Sequence, residues 1–202
     1  MSGPFWESVY RDVGSASPFG ATAEEILALV PNLPARARVL DLGCGDGRNS
    51  LFLLQQGYEV TAVDVSSAAI SKLVANAGTA TLRLRAVVED VRRYAMGDEF
   101  DLIVAHGVLH LLPREDWAVL IGRMQAATSR LGYNVVAVFT DALPPPPDLA
   151  PFILGPFRDG ELLDAYRAWR VELYKAYVLE DQHPGDIRHT HAVNKIVAQK
   201  PR

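Results

Sequence analysis

Short apolar runs alternate with amphipathic stretches along most of the chain, and the period changes at glycine, proline or an acidic residue. Beyond a polar loop at residues 12–20, residues 23–29 carry apolar side chains at helical spacing, and Pro31 and Pro34 end the run. Residues 38–42 form a short apolar strand that breaks on Gly43-Cys44-Gly45-Asp46-Gly47, and helical spacing resumes over residues 49–55. The same alternation predicts strands at 58–63, 81–88, 100–105 and 133–140, with helices at 67–75 and 114–127 between them. Strands separated by helices pair in parallel and need both sheet faces covered.

The last third of the chain changes character. Residues 171–179 and 190–198 are strand-like runs separated only by a polar segment containing Pro184 and Gly185, so they predict an antiparallel hairpin at the sheet edge. The expected fold is therefore α/β and doubly wound: a mostly parallel seven-stranded sheet, helices on both faces and an antiparallel C-terminal hairpin. At 202 residues one domain is expected, with an N-terminal cap and helix (1–35), a ligand-binding core (36–140) and the hairpin side (141–202). The proline run 144–147 reads as a stiff loop spacer.

Composition narrows the partners. Hydrophobic residues make up 49% and charged residues 22%, the net charge is −4, and no stretch concentrates Lys and Arg. A phosphate backbone or an anionic membrane surface would find no basic footprint, so a small-molecule partner is expected, with no nucleic acid and no membrane. No apolar run is long enough to span a bilayer, the first eleven residues do not read as a signal peptide, and the single cysteine, Cys44, forms no intramolecular disulfide. These features point to the cytoplasm.

In a doubly wound sheet the ligand lies beyond the carboxyl ends of the strands, where the first strand–helix turn is here rich in glycine. Gly43, Gly45 and Gly47 permit positive φ and close approach, and the following helix offers free N–H groups. Counting from Gly43, Arg48 stands where the dinucleotide fingerprint needs its third glycine, which argues against a nicotinamide-dependent oxidoreductase, the competing enzyme class. Asp41, Asp64 and the Glu89-Asp90 pair end three successive strands. Together they suit a ligand with an ammonium, a ribose diol and an exocyclic amine, but no phosphate. S-adenosylmethionine has that set.

The run Val39-Leu40-Asp41-Leu42-Gly43-Cys44-Gly45-Asp46-Gly47-Arg48-Asn49-Ser50 resembles motif I of the class I methyltransferases, and Gly57-Tyr58-Glu59-Val60 with Val63-Asp64 resembles motif II. The Gly47-Arg48-Asn49 continuation is similar to the tellurite-resistance and thiopurine-type methyltransferases, over roughly residues 5–140. The resemblance implies an enzyme with S-adenosylmethionine as cofactor. It places Asp41 and Gly43 near the methionine end, Asp64 on the ribose, Val65 against the adenine and Asp90 on the adenine amine with Val91 beside it, and it counts Cys44, Gly45, Arg48 and Asn49 among the cofactor-binding residues. His106 would face the methionyl group and the acceptor, while Trp6 and Tyr10 would cap the cofactor. The implied acceptor is a metalloid oxyanion or a soft sulfur-type nucleophile, with O-, N- or C-methylation of a small metabolite as the alternative, and a catalytically silent binding module as a third reading.

Methyl transfer from a sulfonium requires alignment and exclusion of water, and a base only when the acceptor carries a proton. His106 and His110 are the expected bases, from their place after the fourth strand. His189 and His191 alternate along a strand with His183 nearby, a pattern more often solvent-facing than metal-binding. No metal is expected. Arg158 and Arg188 are candidate anion contacts, and Cys44 reads as a small packing residue.

Overall fold

The computed structural model describes residues 7, 10, 11, 17, 19–97, 99–183 and 187–202, with the side chains of 181–183 and 187 excepted. Trp6 and the Pro184-Gly185 dipeptide lie outside the described residues. In chain order the elements are α1 (Glu24–Leu29), β1 (Arg38–Leu42), α2 (Arg48–Gln55), β2 (Glu59–Asp64), α3 (Ser67–Ala77) and β3 (Leu84–Val88). There follow β4 (Phe100–His106), α4 (Arg114–Ala127), β5 (Thr128–Phe139), α5 (Glu161–Ala165), β6 (Arg170–His183) and β7 (Ile187–Gln199).

These strands form one sheet in the order β3-β2-β1-β4-β5-β7-β6. The first five run parallel, and β7 enters antiparallel between β5 and β6. The order reverses between β1 and β4, where a doubly wound sheet opens a crevice for a ligand. The pleat sorts side chains between two cores. Leu40, Leu42, Ile103, Ala105, Val136 and Val138 pack against Trp117, Leu120, Ile121 and Met124 of α4. Val39, Leu102, Val104 and Val135 face the other way, onto Ile26, Leu29, Leu53, Leu54 and Leu73.

Three local differences from the sequence pattern have physical causes. Residues 78–83 form a 3-10 turn and β3 starts only at Leu84, because the exposed Thr81, Leu82 and Arg83 have no strand beside them. Strand β5 begins at Thr128, directly after α4, and a register irregularity against β4 between Phe100 and Leu102 absorbs the extra length. The short α5 was not expected; Leu162 and Tyr166 anchor it in the core.

The hairpin is longer than its sheet. Pairing of β5 with β7 stops at Phe139 and Val193, while β6 and β7 continue together to His183 and Ile187. A two-stranded ribbon therefore overhangs the carboxyl edge. Among the described residues no helix is long and apolar enough to cross a membrane.

Candidate cofactor and acceptor site

The turn after β1 is shaped by backbone that only glycine adopts cheaply. Gly43, Gly45 and Gly47 have φ of 67°, 55° and 89°. A Cβ on Gly43 would lie 2.5 Å from Val108, and one on Gly45 would lie 2.7 Å from the Tyr10 hydroxyl. The amides of Gly43 and Cys44 both donate to the Val63 carbonyl, tying the turn to β2. Asp64 braces it further by accepting from Gly45 N and Ser66 N, each at 2.8 Å. Burial raises the Asp64 pKa against these hydrogen bonds.

Asp41 is buried next to the end of β1 and accepts from the Ser50 hydroxyl at 2.6 Å. Burial pushes its carboxyl up to about 6, with the Ser50 hydrogen bond and the Arg48 charge opposing. It is a buried acid that a cation would ionise. Asp46 lies in the same turn, 3.2 Å from the ammonium of buried Lys72 on α3, and accepts from Ser17 at 2.8 Å. Tyr10 is 4% exposed beside this group, and burial together with the charges of Asp64 and Asp46 raises its pKa strongly.

Other expected contacts sit differently. Val65 is 73% exposed, an apolar surface beside Asp64, whereas Val91 is buried in the core. The Asp90 carboxylate faces the Arg92 guanidinium, which also reaches Asp116 at the start of α4. Cys44 is buried and burial pushes its thiol up, in keeping with a packing role.

Arg48 and Asn49 hold the chain segment that precedes α1. Arg48 donates to the Phe19 and Ala21 carbonyls at 2.6 and 2.9 Å, the Arg48 carbonyl accepts from Thr22, and Asn49 accepts from Ala23 N. Arg48 also reaches His106 Nδ1 at 2.9 Å, and His106 Nε2 lies 2.9 Å from Glu25. A guanidinium only donates, so Nδ1 must accept and the proton sits on Nε2, directed at Glu25. Lys195 of β7 stands 3.3 Å from the same carboxylate. Desolvation opposes the Glu25 charge, yet the His106 hydrogen bond and neighbouring cations lower its pKa to about 2.

The two histidines expected as bases, His106 and His110, both make hydrogen bonds within the fold. His106 has both ring nitrogens engaged, and burial lowers its pKa. His110 Nδ1 accepts from the Phe139 amide at 3.1 Å, and burial drives the ring down to about 3. Neither imidazole presents a free lone pair here. His106 instead closes a latch, Glu25–His106–Arg48, that pins residues 19–25 across the turn. Sequence reasoning missed Glu25 and Lys195 because they come together only through tertiary folding. Their separation of 170 positions leaves no spacing signal.

Removing the clamp has a defined outcome. Arg48→Ala is expected to lose charge-assisted hydrogen bonds with a net worth of about 1.5 to 3 kcal/mol each. Amide exchange at residues 19–26 should then quicken more than exchange in β4. Unchanged exchange there would remove Arg48 from this role.

Past His110 the strand ends carry a column of rings. His110 and His191 stack on opposite sides of Phe139, each with centroids 4.1 Å apart, and His189 meets His191 edge-on at 4.7 Å. A cavity of about 100 Å³ opens beside the column. The His183 side chain lies outside the described residues, and among the described residues no cluster of three His, Cys, Asp or Glu is arranged to hold a metal ion. Arg158 pairs with Glu161, away from the turn.

Comparison with known proteins decides the family. The sequence profile described as tellurite resistance protein TehB matches residues 19–196. The chain belongs to the TehB family. It is 36% identical over 139 residues to the probable S-adenosyl-L-methionine-dependent methyltransferase TehB of Haemophilus influenzae, covering 68% of this chain and 47% of the relative. It is also 33% identical over 169 residues to Hemagglutinin 1 of Eikenella corrodens, covering 84% of this chain and 54% of the relative. The chain thus spans about half the length of these curated relatives. The crystal structure of Haemophilus influenzae TehB superposes with a TM-score of 0.78 at 27% identity, over 88% of this chain and 62% of that one. The N-methyltransferase NodS of Bradyrhizobium japonicum with S-adenosyl-L-homocysteine shares the fold at 16% identity, TM-score 0.69, over 99% of this chain and 100% of that one. The TehB-family chain therefore has the class I methyltransferase fold, as its motifs suggested.

Proposed function

We propose that this TehB-family chain transfers the methyl group of S-adenosylmethionine to a small-molecule acceptor in the cytoplasm. The observation that carries the reading is the pairing of a glycine-shaped turn with two carboxylates: buried Asp41 beside it and half-buried Asp64 bracing it. The donor set fits the cofactor. Asp41 can receive an ammonium, the remaining lone pairs of Asp64 can receive ribose hydroxyls, and exposed Val65 offers an apolar surface for a base. Asp90 reaches an adenine amine only by sharing its carboxylate with Arg92.

When bound, S-adenosylmethionine supplies a methyl group made electrophilic by the sulfonium. The chain's task is then orientation and dryness. Arg48 and Asn49 hold residues 19–25 over the turn, the His106 latch fixes that cover from β4, and Tyr10 closes above Gly45. The family's description supports tellurite as the first acceptor to try, with thiols beside it.

Calorimetric titration with S-adenosylmethionine, S-adenosylhomocysteine and NADH tests the reading. The two adenosyl ligands are expected to bind and NADH is not. The Asp41 proton sets the pH dependence: an ammonium favours the ionised carboxylate, so affinity should fall as the pH drops below about 6, by up to about tenfold per unit. Binding of NADH alone would sink the proposal.

A further inference from the structure

We propose that Lys195 of β7 is a positioning residue that fastens the C-terminal hairpin to the cover over the glycine turn, so that cofactor occupancy and the order of the hairpin rise and fall together. The cofactor's part in this rests on the methyltransferase reading above; the fastening rests on one row of the sheet.

The register builds that row. His106 of β4 stands opposite Ala137 of β5, Ala137 opposite Lys195 of β7, and Lys195 opposite Lys175 of β6. Residues aligned across neighbouring strands project from the same face, so an imidazole, a methyl and two ammonium groups form a line on the side that α1 covers. His106 and Lys195 are two strand spacings apart, about 10 Å. Ala137 fills little of the space between them. The Glu25 carboxylate of α1 touches both neighbours of Ala137 and therefore lies over it: one oxygen is 2.9 Å from His106 Nε2, and Lys195 Nζ is 3.3 Å from each oxygen.

Charge explains why Lys195 needs that carboxylate. Like charges directly opposite on a sheet repel, and exposed Lys175 is the direct neighbour of Lys195. Glu25 offsets the pair from one side, while the Tyr177 ring lies 5.5 Å from Lys195 Nζ on the other. The side chains of Lys195 and Glu25 are 19% and 4% exposed, so water and salt screen this contact less than a surface ion pair.

A continuous path results, from Tyr177 and Lys195 through Glu25 and His106 to Arg48, and from there to the carbonyls of Phe19 and Ala21. It matters because α1 has only six residues, with Ile26 and Leu29 as its buried apolar anchors. Drawing β7 away would take the ammonium from Glu25, and the carboxylate would no longer be held on the Nε2 proton. Coupling of this kind is reciprocal. A cofactor bound beneath the cover favours the held hairpin, and a held hairpin tightens the cofactor.

Calorimetry with S-adenosylhomocysteine and amide exchange with and without it test the proposal on the whole chain. In the unsubstituted protein the ligand is expected to slow exchange at residues 19–26 and at residues 188–192 of the overhanging ribbon. Lys195→Met keeps the apolar stem and loses the charge. It should weaken the ligand by at least about fivefold and abolish the slowing at residues 188–192, and Lys195→Arg should restore both. Glu25→Gln keeps an oxygen for His106 but drops the charge facing Lys195, so it should reproduce the Lys195→Met result and serves in its place if that variant does not fold. The two substitutions combined should add little to either alone. Unchanged affinity and exchange in Lys195→Met and Glu25→Gln, or a loss that Lys195→Arg does not restore, would overturn the proposal. Failure of S-adenosylhomocysteine to bind the unsubstituted protein would instead overturn the methyltransferase reading; the fastening would then stand or fall on whether Lys195→Met quickens ligand-free exchange at residues 19–26.

Discussion

Lys72→Met is expected to destabilise the protein by about 3 to 5 kcal/mol, because it leaves the Asp46 carboxylate buried without its ammonium. Both side chains are almost wholly inaccessible, 1% and 3% exposed. Their mutual attraction offsets desolvation only while both are present. Asp46→Asn combined with Lys72→Met should restore much of the loss, since no charge then remains to be buried. Urea unfolding of the single and double variants measures the difference. Because Asp46 also accepts from Ser17, the single variant should free the segment that leads into the Arg48 clamp. A single-variant loss below about 1 kcal/mol would place the pair with solvated surface ion pairs.

Asp64→Ala is expected to weaken S-adenosylmethionine binding by about 1 to 3 kcal/mol, roughly five- to 150-fold. Two effects add in the same direction. The turn loses the brace on Gly45 N, and the cofactor loses its expected partner for the ribose hydroxyls. Asp64→Asn separates them, since its amide oxygen can still accept from Gly45 N. Its affinity should lie between the other two. Affinity unchanged in Asp64→Ala would take Asp64 out of the site.

The sequence carried its clearest information where local pattern and fold agree. The boundaries of β1 and α4 follow directly from apolar spacing, and the acidic strand ends fall on the neighbouring strands β3, β2 and β1. These were legible because side-chain period and turn chemistry are properties of contiguous residues. Motif I was legible for the same reason. The chemistry of its glycine turn is written into nine consecutive positions, from Val39 to Gly47.

What His106, His110, Arg48 and Asn49 do was decided by tertiary structure alone. Their addresses were correct, at a strand end and at a helix start. Their hydrogen-bond partners come from residues 19–25, from Glu25 and from the Phe139 backbone, and no spacing rule connects these to a strand end. For His106 the structure puts a guanidinium on one ring nitrogen and a carboxylate on the other. Likewise, Thr140 and the proline run become a cavity only when β7 brings His191 across from a distant part of the chain. Thus the sequence by itself determined the α/β architecture, the glycine turn and the acids around it, all encoded locally. Only the folded chain decided which polar groups are already satisfied and which still await a ligand, because satisfaction depends on partners that long-range packing supplies.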